Sequence, residues 1–146
     1  MSSDTEDIQF LILLFSLFSV TFPNVIFSFL HQYLRNRKVY LSLMIIVLLL
    51  LLFSVFQIDE SWKTFQKVNA LSPIMIISYL ILYKLADHIA LKKYNRHMYF
   101  SCRISILFKS KESTEQTLLE MLIQILILIL SAVIWMLLGS LIFNYF

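Results

Sequence analysis

The sequence predicts an all-α integral membrane protein, a bundle of four transmembrane helices that forms one domain over residues 1–146. Charged residues make up 14% of the chain, against about 25% in ordinary soluble domains. Four apolar runs are each long enough to cross a hydrocarbon core roughly 30 Å thick. A small globule could not hide this much apolar surface from water, because small domains leave much of their surface exposed.

The first predicted helix covers about residues 8–34 and contains Pro23. Proline removes a backbone donor inside a helix and kinks it. The side chains of Thr21 and Asn24 can satisfy the carbonyl that this kink leaves without a partner. The acidic start MSSDTEDIQF lacks the basic region of a signal peptide, so we expect this helix to remain as a membrane anchor.

The second and third predicted helices cover about residues 39–58 and 73–91. The second is apolar on all sides, which predicts a position on the lipid side of the bundle. The third has a clear start signal, with Ser72 as the N-cap and Pro73 at the first helical position.

The connection between these helices, DESWKTFQKVNALS, is predicted to contain a short helix that lies in the outer membrane interface. Trp62, Phe65, Val68 and Leu71 are three residues apart, which places apolar groups along one side of that helix. Tryptophan prefers the membrane–water interface, so Trp62 is the predicted interfacial anchor.

The fourth predicted helix covers about residues 118–143. Its entrance offers two candidate capping boxes, Ser113 with Gln116 or Thr117 with Glu120. Small and polar residues follow one stripe of this helix, and a similar stripe runs along the first. Such stripes predict helix–helix contact through interhelical hydrogen bonds, or a water-filled path. The residues are Glu120, Gln124, Ser131 and Gly139 in the fourth helix, and Asn24, Ser28 and Gln32 in the first.

Lysine and arginine residues concentrate in two loops, between the first two predicted helices and in the long loop 92–117. The positive-inside rule places both loops inside and both chain termini outside. The membrane is then the bacterial cytoplasmic membrane or an organellar inner membrane. These cations are predicted to contact lipid headgroups or a partner protein: Arg35, Arg37, Lys38, Lys92, Lys93, Arg96, Arg103 and Lys109. A net charge of +3 without a concentrated base-reading face predicts no nucleic-acid partner.

Within the long loop, the segment MYFSCRISILFKSK alternates apolar and polar residues. This period predicts a half-buried strand that pairs with another chain, or an amphipathic stretch that lies on anionic lipid. We favour the second interpretation, because no other segment of the chain could supply a strand of similar quality.

Polar residues inside the predicted helices form the candidate site. They lie at a similar depth near the inner face and could form an ion or proton pathway or an interhelical polar cluster. The residues are His31, Lys84, Asp87, His88, Glu120 and Gln124. In the structural interpretation, Lys84 pairs with Asp87 on the same helix face. His97 is interpreted as a solvated loop residue.

The sequence carries no enzyme signature: no HExxH, no GxSxG, no glycine-rich phosphate loop and no paired cysteines, since Cys102 is single. We therefore predict no enzyme activity, no metal and no cofactor. The favoured function is a small non-catalytic subunit of a larger membrane complex, an energy-converting or secretion-type assembly. Its partners would be the bilayer and other membrane subunits or copies of itself. The alternative is a homo-oligomeric channel, transporter or membrane-permeabilising effector that uses Lys84, Asp87 and His88.

Overall fold

The structure is a computed structural model that describes residues 31–99 and 117–145, together with residues 10, 11, 13, 14, 16–18 and 21. All regular secondary structure in these parts of the chain is helical. We label the helices in chain order as α1 (Arg37–Phe56), α2 (Thr64–Ala70), α3 (Pro73–Tyr94) and α4 (Leu118–Tyr145).

Three of these helices, α1, α3 and α4, are long and apolar enough to cross a membrane. They correspond to the second, third and fourth predicted spans. Of the first predicted span, 8–34, the described residues are helical. Pro23 and its predicted kink lie outside the described residues, as do Asn24 and Ser28. Three candidate spans are therefore established, while the fourth span remains a prediction.

The chain direction alternates from α1 to α3 to α4. Arg35 precedes α1 and donates a hydrogen bond to the carbonyl of Met98, which follows α3. Arg96, also after α3, pairs with Glu120 in the first turn of α4. The start of α1, the end of α3 and the start of α4 therefore meet at one end of the bundle, which we call the loop end. The short helix α2 lies at the opposite end.

Helix α1 starts with a side-chain cap and buries little. The Asn36 Oδ1 accepts a hydrogen bond from the Lys38 backbone N–H at 3.0 Å, which satisfies one of the donors that a helix start leaves open. Within the helix, only Val47 and Ser54 are buried. Its uniformly apolar sequence predicts this, since no face is marked for the interior.

Helix α3 is the most buried of the three candidate spans and contacts both α1 and α4. The core therefore forms around it, from Leu34, Val47, Ile76, Tyr79, Leu80, Tyr83, Ala90, Met98 and Ile127. Two tyrosine hydroxyls in the helix contacts reach backbone carbonyls. Tyr40 donates to Leu80 at 3.3 Å and Tyr83 donates to His31 at 3.2 Å. Buried tyrosines need such partners.

The start of α3 at Pro73 is as predicted, but the capping mechanism is not. Ser72 makes no side-chain cap hydrogen bond, and its backbone is helical with φ −54° and ψ −27°. Its N–H donates to the carbonyl of Asn69 at 3.0 Å. The chain thus enters α3 through a backbone turn that continues from α2, so the end of α2 rather than the Ser72 hydroxyl prepares the helix start.

Helix α2 packs against α4 at the far end of the bundle. The Trp135 Nε1 donates to the Val68 carbonyl at 2.9 Å, and Gly139 lies against the Val68 side chain. Of the residues predicted to share one apolar side, Trp62 and Leu71 are buried, whereas Phe65 is 72% exposed. Phe65 is therefore the aromatic residue of this segment that is better placed to enter a membrane interface.

The hydrogen bond from Trp135 can be tested by substitution with phenylalanine. We expect Trp135→Phe to lower the free energy of unfolding by about 1 kcal/mol, because the Val68 carbonyl loses its side-chain donor. Trp62 is then the remaining tryptophan of the two in the chain. Its emission therefore reports on the end of the bundle where α2 lies. Met136→Leu, at a neighbouring residue that is 60% exposed, should leave the stability unchanged, and when added to Trp135→Phe it should leave the Trp62 emission unchanged.

Helix α4 confirms one of the two predicted capping boxes and the inward direction of its stripe. The Thr117 Oγ1 accepts from the Glu120 N–H at 3.3 Å, and Glu120 Oε2 accepts from the Thr117 N–H at 2.9 Å. The alternative pair, Ser113 with Gln116, lies outside the described residues. In the stripe, Glu120, Ser131 and Gly139 are buried and Gln124 is half-buried.

The predicted interhelical hydrogen bond from this stripe is wrong for Ser131. Its hydroxyl donates to the carbonyl of Ile127 in the same helix, at 2.6 Å. Serine inside a helix often bonds back to the preceding turn in this way. Ser131 therefore contributes a small side chain to the helix contact, and its hydrogen bond stays local.

Candidate functional site

Five side chains around the turn at residues 95–99 form a polar cluster at the loop end, which we call the polar clasp: Asp87, Arg96, His97, Thr117 and Glu120. The turn exists because α3 stops at Asn95, which adopts the left-handed conformation with φ 56° and ψ 24°. Asparagine tolerates this conformation better than most residues. The chain after Asn95 then folds back over the end of α3.

Asp87 accepts from the turn on the α3 side. Its side chain is 1% exposed and lies in the last two turns of the helix. Its Oδ1 accepts a hydrogen bond from the Met98 backbone N–H at 3.1 Å. The His97 Nδ1 lies 3.1 and 3.0 Å from Oδ1 and Oδ2. A buried carboxylate needs such partners, because burial without them is costly.

Glu120 accepts from the same turn on the α4 side. Its Oε1 accepts from Arg96 Nη1 at 2.7 Å and from the Tyr99 backbone N–H at 3.2 Å. Its Oε2 accepts from the Thr117 N–H at 2.9 Å and the Thr117 hydroxyl at 3.1 Å. Each carboxylate oxygen of Glu120 thus has two donors, and Glu120 is 7% exposed.

The clasp joins helices that are distant in sequence. The backbone N–H groups of Met98 and Tyr99 donate to carboxylates on α3 and α4 respectively. Arg35, just before α1, donates to the Met98 carbonyl at 3.3 Å. Hydrogen bonds to ionised groups are shorter and stronger than neutral ones. The arrangement therefore fixes the loop end and supplies hydrogen-bond partners to two buried carboxylates next to the apolar interior.

The structure brings together only part of the predicted polar cluster. Asp87 and Glu120 bond to the same turn, and His31 is buried at this end of the bundle. Lys84 and His88 are exposed on α3, and Gln124 is half-buried. The predicted ion pair between Lys84 and Asp87 does not form. Lys84 Nζ instead lies 5.5 Å from the centre of the Tyr40 ring, while Asp87 contacts His97 and Met98.

The sequence did not predict the internal contacts of three basic residues at the loop end. His97 was expected to be solvated, yet its ring contacts Asp87 while 42% of the side chain stays exposed. Arg96 and Arg35 also bond within the chain, and their predicted contact with lipid or a partner stays a prediction. The sequence signal for His97 and Arg96 is Asn95, which stops α3 and turns the following residues back toward Asp87 of α3 and Glu120 of α4.

Four of the other predicted basic residues lie on the surface of the described part of the chain. Arg37, Lys38, Lys92 and Lys93 are exposed near the loop end. Arg103 and Lys109 lie outside the described residues, as does the alternating segment from residue 100 to residue 111. Within the part of the chain that the structure describes, these four exposed cations are therefore the candidates for contact with headgroups or a partner.

A double-mutant cycle can measure the Arg96–Glu120 pair. We expect Arg96→Gln and Glu120→Gln to be coupled by about 1 kcal/mol, since the Arg96 side chain is 36% exposed and partly exposed ion pairs are weakened by solvent. The free energy of unfolding in mixed detergent micelles is the measurement. A cycle of Glu120→Gln with Lys92→Gln, an exposed cation outside the clasp, should show no coupling.

No family model, curated protein or solved structure matches this chain. What the protein does must therefore be inferred from its own residues and contacts.

Proposed function

We propose that the protein is a small non-catalytic subunit of a larger membrane assembly of the energy-converting or secretion type. The polar clasp carries this proposal. Asp87 and Glu120, the two carboxylates best placed to serve an ion path, both accept hydrogen bonds from the turn at residues 95–99. Carboxylates that accept these hydrogen bonds hold the helices together, which is a structural role and fits a non-catalytic subunit.

The apolar surface of the bundle supports the same proposal. The outward side chains of α1 include Phe53 and Phe56, which are 64% and 85% exposed, and those of α4 include Met136 at 60%. In a membrane this surface faces acyl chains or the helices of other subunits. Large apolar side chains of this kind pack against partner helices by van der Waals contact.

Orientation is part of the proposal. The exposed cations Arg37, Lys38, Lys92 and Lys93 cluster at the loop end, so the positive-inside rule assigns that end to the cytoplasm or the matrix. Helix α2 and both chain termini then lie on the outer side. The membrane is a bacterial cytoplasmic membrane or an organellar inner membrane.

Cysteine labelling of intact cells or organelles tests this orientation. In a background of Cys102→Ser, which removes the single native cysteine, we expect Ser61→Cys to react with an impermeant maleimide from outside. Lys38→Cys should react only after the membrane is permeabilised. Labelling of Lys38→Cys in intact cells, with Ser61→Cys protected, would reverse the assignment.

Extraction in mild detergent followed by native mass spectrometry tests the subunit role. We expect the chain in a complex with other membrane polypeptides at a fixed stoichiometry, and no ion flux when the chain alone is reconstituted in vesicles. Asp87→Ala should reduce the yield of that complex through loss of stability, while His88→Ala should not. Recovery as a single chain that conducts ions would refute the proposal.

The alternative, a homo-oligomeric channel, transporter or permeabilising effector, is favoured by one observation. Lys84 and His88 are exposed on α3, and they are four residues apart, so they share one outward face of a membrane-length helix. Ionisable groups that face lipid are costly, and they favour contact with another chain or with water. Under this alternative, Lys84→Met or His88→Ala changes flux or toxicity without changing membrane insertion.

A further inference from the structure

A cavity of about 390 Å³ lies beside the polar clasp, between the end of α3 and the start of α4. Its wall is mainly apolar and includes Ala86, Ala90 and Ile123, and its rim includes Lys93 and Tyr94. Its volume is within the range of about 300–1,000 Å³ that is typical of ligand pockets.

The sequence explains why this cavity, which we also call the slot, forms between α3 and α4. Ala86 and Ala90 are four residues apart, so both lie on the same face of α3. Their short side chains leave space opposite Ile123 of α4, where larger residues would fill the contact between the helices. Ile89 also lines the cavity and is 55% exposed. The slot therefore borders the outer surface of the bundle, which faces acyl chains when the helices cross a membrane.

The rim lies at the end of α3, which is the depth of the lipid headgroups if α3 crosses a membrane. Arg96 and Glu120 both line the cavity and pair with each other, so their charges cancel. Among the described lining residues, Lys93 is then the cation of the rim whose charge is not paired with Glu120. It lies in the last turn of α3 with its Nζ 5.3 Å from the centre of the Tyr94 ring. Tyrosine and lysine at a helix end are typical of the membrane interface, and lysine binds phosphate as a point charge.

We propose that this cavity binds an anionic phospholipid, with one acyl chain between Ala86, Ala90 and Ile123 and the phosphate beside Lys93. Basic pockets between transmembrane helices are a recurrent way to recognise anionic headgroups. The inference requires that α3 and α4 cross a membrane, and it does not depend on the subunit role. Both parts of the lipid are needed, since the slot selects an acyl chain and Lys93 selects the charge.

Native mass spectrometry of the full chain in detergent, titrated with phosphatidylglycerol or phosphatidylcholine, tests the site. We expect phosphatidylglycerol to bind about fivefold more tightly than phosphatidylcholine, the effect of one lysine near a phosphate. Lys93→Gln should remove this preference. Lys92→Gln, a matched change in the same turn outside the cavity lining, should keep it within about twofold.

The acyl slot has its own test. Ala86→Leu fills the cavity without changing charge and should weaken the binding of both lipids. Ala86→Leu could also disturb the contact between α3 and α4, so a second variant is needed. Ile89→Phe, at a more exposed position of the lining, should likewise weaken the binding of both lipids. Glycerol phosphate, the headgroup without chains, should not bind measurably.

Three outcomes would overturn the inference. Equal effects of Lys92→Gln and Lys93→Gln would mean that surface charge attracts the lipid without a defined site. Unchanged lipid binding in both Ala86→Leu and Ile89→Phe would exclude the slot. Binding of glycerol phosphate as tight as that of phosphatidylglycerol would show a phosphate site in place of a phospholipid site.

Discussion

Replacing Asp87 by alanine is expected to lower the free energy of unfolding by about 1–3 kcal/mol, whereas replacing its neighbour His88 should have no measurable effect. The physical reason is burial. The Met98 N–H donates to Asp87, and Met98 is 2% exposed. Alanine at position 87 leaves this donor without its acceptor. His88 is exposed on the same helix, so its removal leaves no buried group unsatisfied.

Asp87→Asn should have an intermediate effect. Its single amide oxygen can still accept from the Met98 N–H, but its NH₂ group replaces one of the two oxygens that face His97. A cycle with His97→Ala then isolates the share of the stability that comes from the imidazole contact. The His97 side chain is 42% exposed, so we expect that share to be the smaller one.

The measurement is a denaturant titration of the purified chain in mixed micelles, combined with a flux assay in vesicles. Asp87→Ala and His88→Ala are compared at equal levels of membrane insertion. If Asp87→Ala is as stable as the parent but alters ion flux, the clasp is a functional pathway and the structural interpretation fails. If the loss of stability is confined to Asp87→Ala, the carboxylate serves to hold the turn.

The membrane-length helices could be predicted from the sequence because their signal is length and apolar content. The prediction of 73–91 for the third span ends three residues before α3 does at Tyr94. The difference arises because Lys92 and Lys93 look like loop residues in a hydropathy pattern. Long cationic side chains are nevertheless favourable in the last turn of a helix, where the carbonyl groups attract positive charge.

The contacts of the polar residues could be predicted only in part. Depth along the helices correctly placed Asp87 and Glu120 near the same end of the bundle, since depth follows from the number of residues. Depth does not specify which groups donate hydrogen bonds to each carboxylate. That depends on the left-handed backbone of Asn95 and on the path of residues 96–99, which neither hydropathy nor helical periodicity encodes.

The short helix α2 shows a similar limit. The three-residue spacing of Trp62, Phe65, Val68 and Leu71 predicts one apolar side, but Phe65 is exposed while Trp62 is buried. A spacing of three drifts around a helix with 3.6 residues per turn, so four such residues do not stay on one face. Trp62 also precedes the first helical residue, Thr64, which removes it from the helical pattern.

The contact between α2 and α4 gives the second large effect, because Gly139 leaves no room for a side chain. A Cβ at position 139 would lie 2.8 Å from Val68 Cγ1 and 3.3 Å from Cγ2. Valine has a stiff, β-branched side chain that cannot easily turn away. We expect Gly139→Ala to destabilise the protein by about 1–3 kcal/mol, the usual cost of overpacking, even though alanine is the better helix former.

Removing the Val68 branches should reverse the sign of this effect. In a Val68→Ala background the nearest remaining Val68 atom is the Cβ, which lies 3.4 Å from the position that the new methyl carbon would occupy, close to an ordinary van der Waals contact. Gly139→Ala should then be neutral or stabilising, by up to about 1 kcal/mol, because only the helix propensity of alanine remains. Ser140→Ala, one residue away, should behave identically in both backgrounds.

Trp135 supplies a local readout for this cycle. It is four residues before Gly139, so it lies on the same face of α4, and its Nε1 donates to the Val68 carbonyl. A displaced α2 breaks that bond, so Gly139→Ala should shift the Trp135 emission in a Trp62→Phe background, and the added Val68→Ala should restore it. An equal loss of stability with and without Val68→Ala would show that the new methyl group is crowded by atoms other than the Val68 branches, since the backbone term alone favours alanine. A reversal in the sign of the stability change would instead show that Gly139 allows α2 to pack closely against α4.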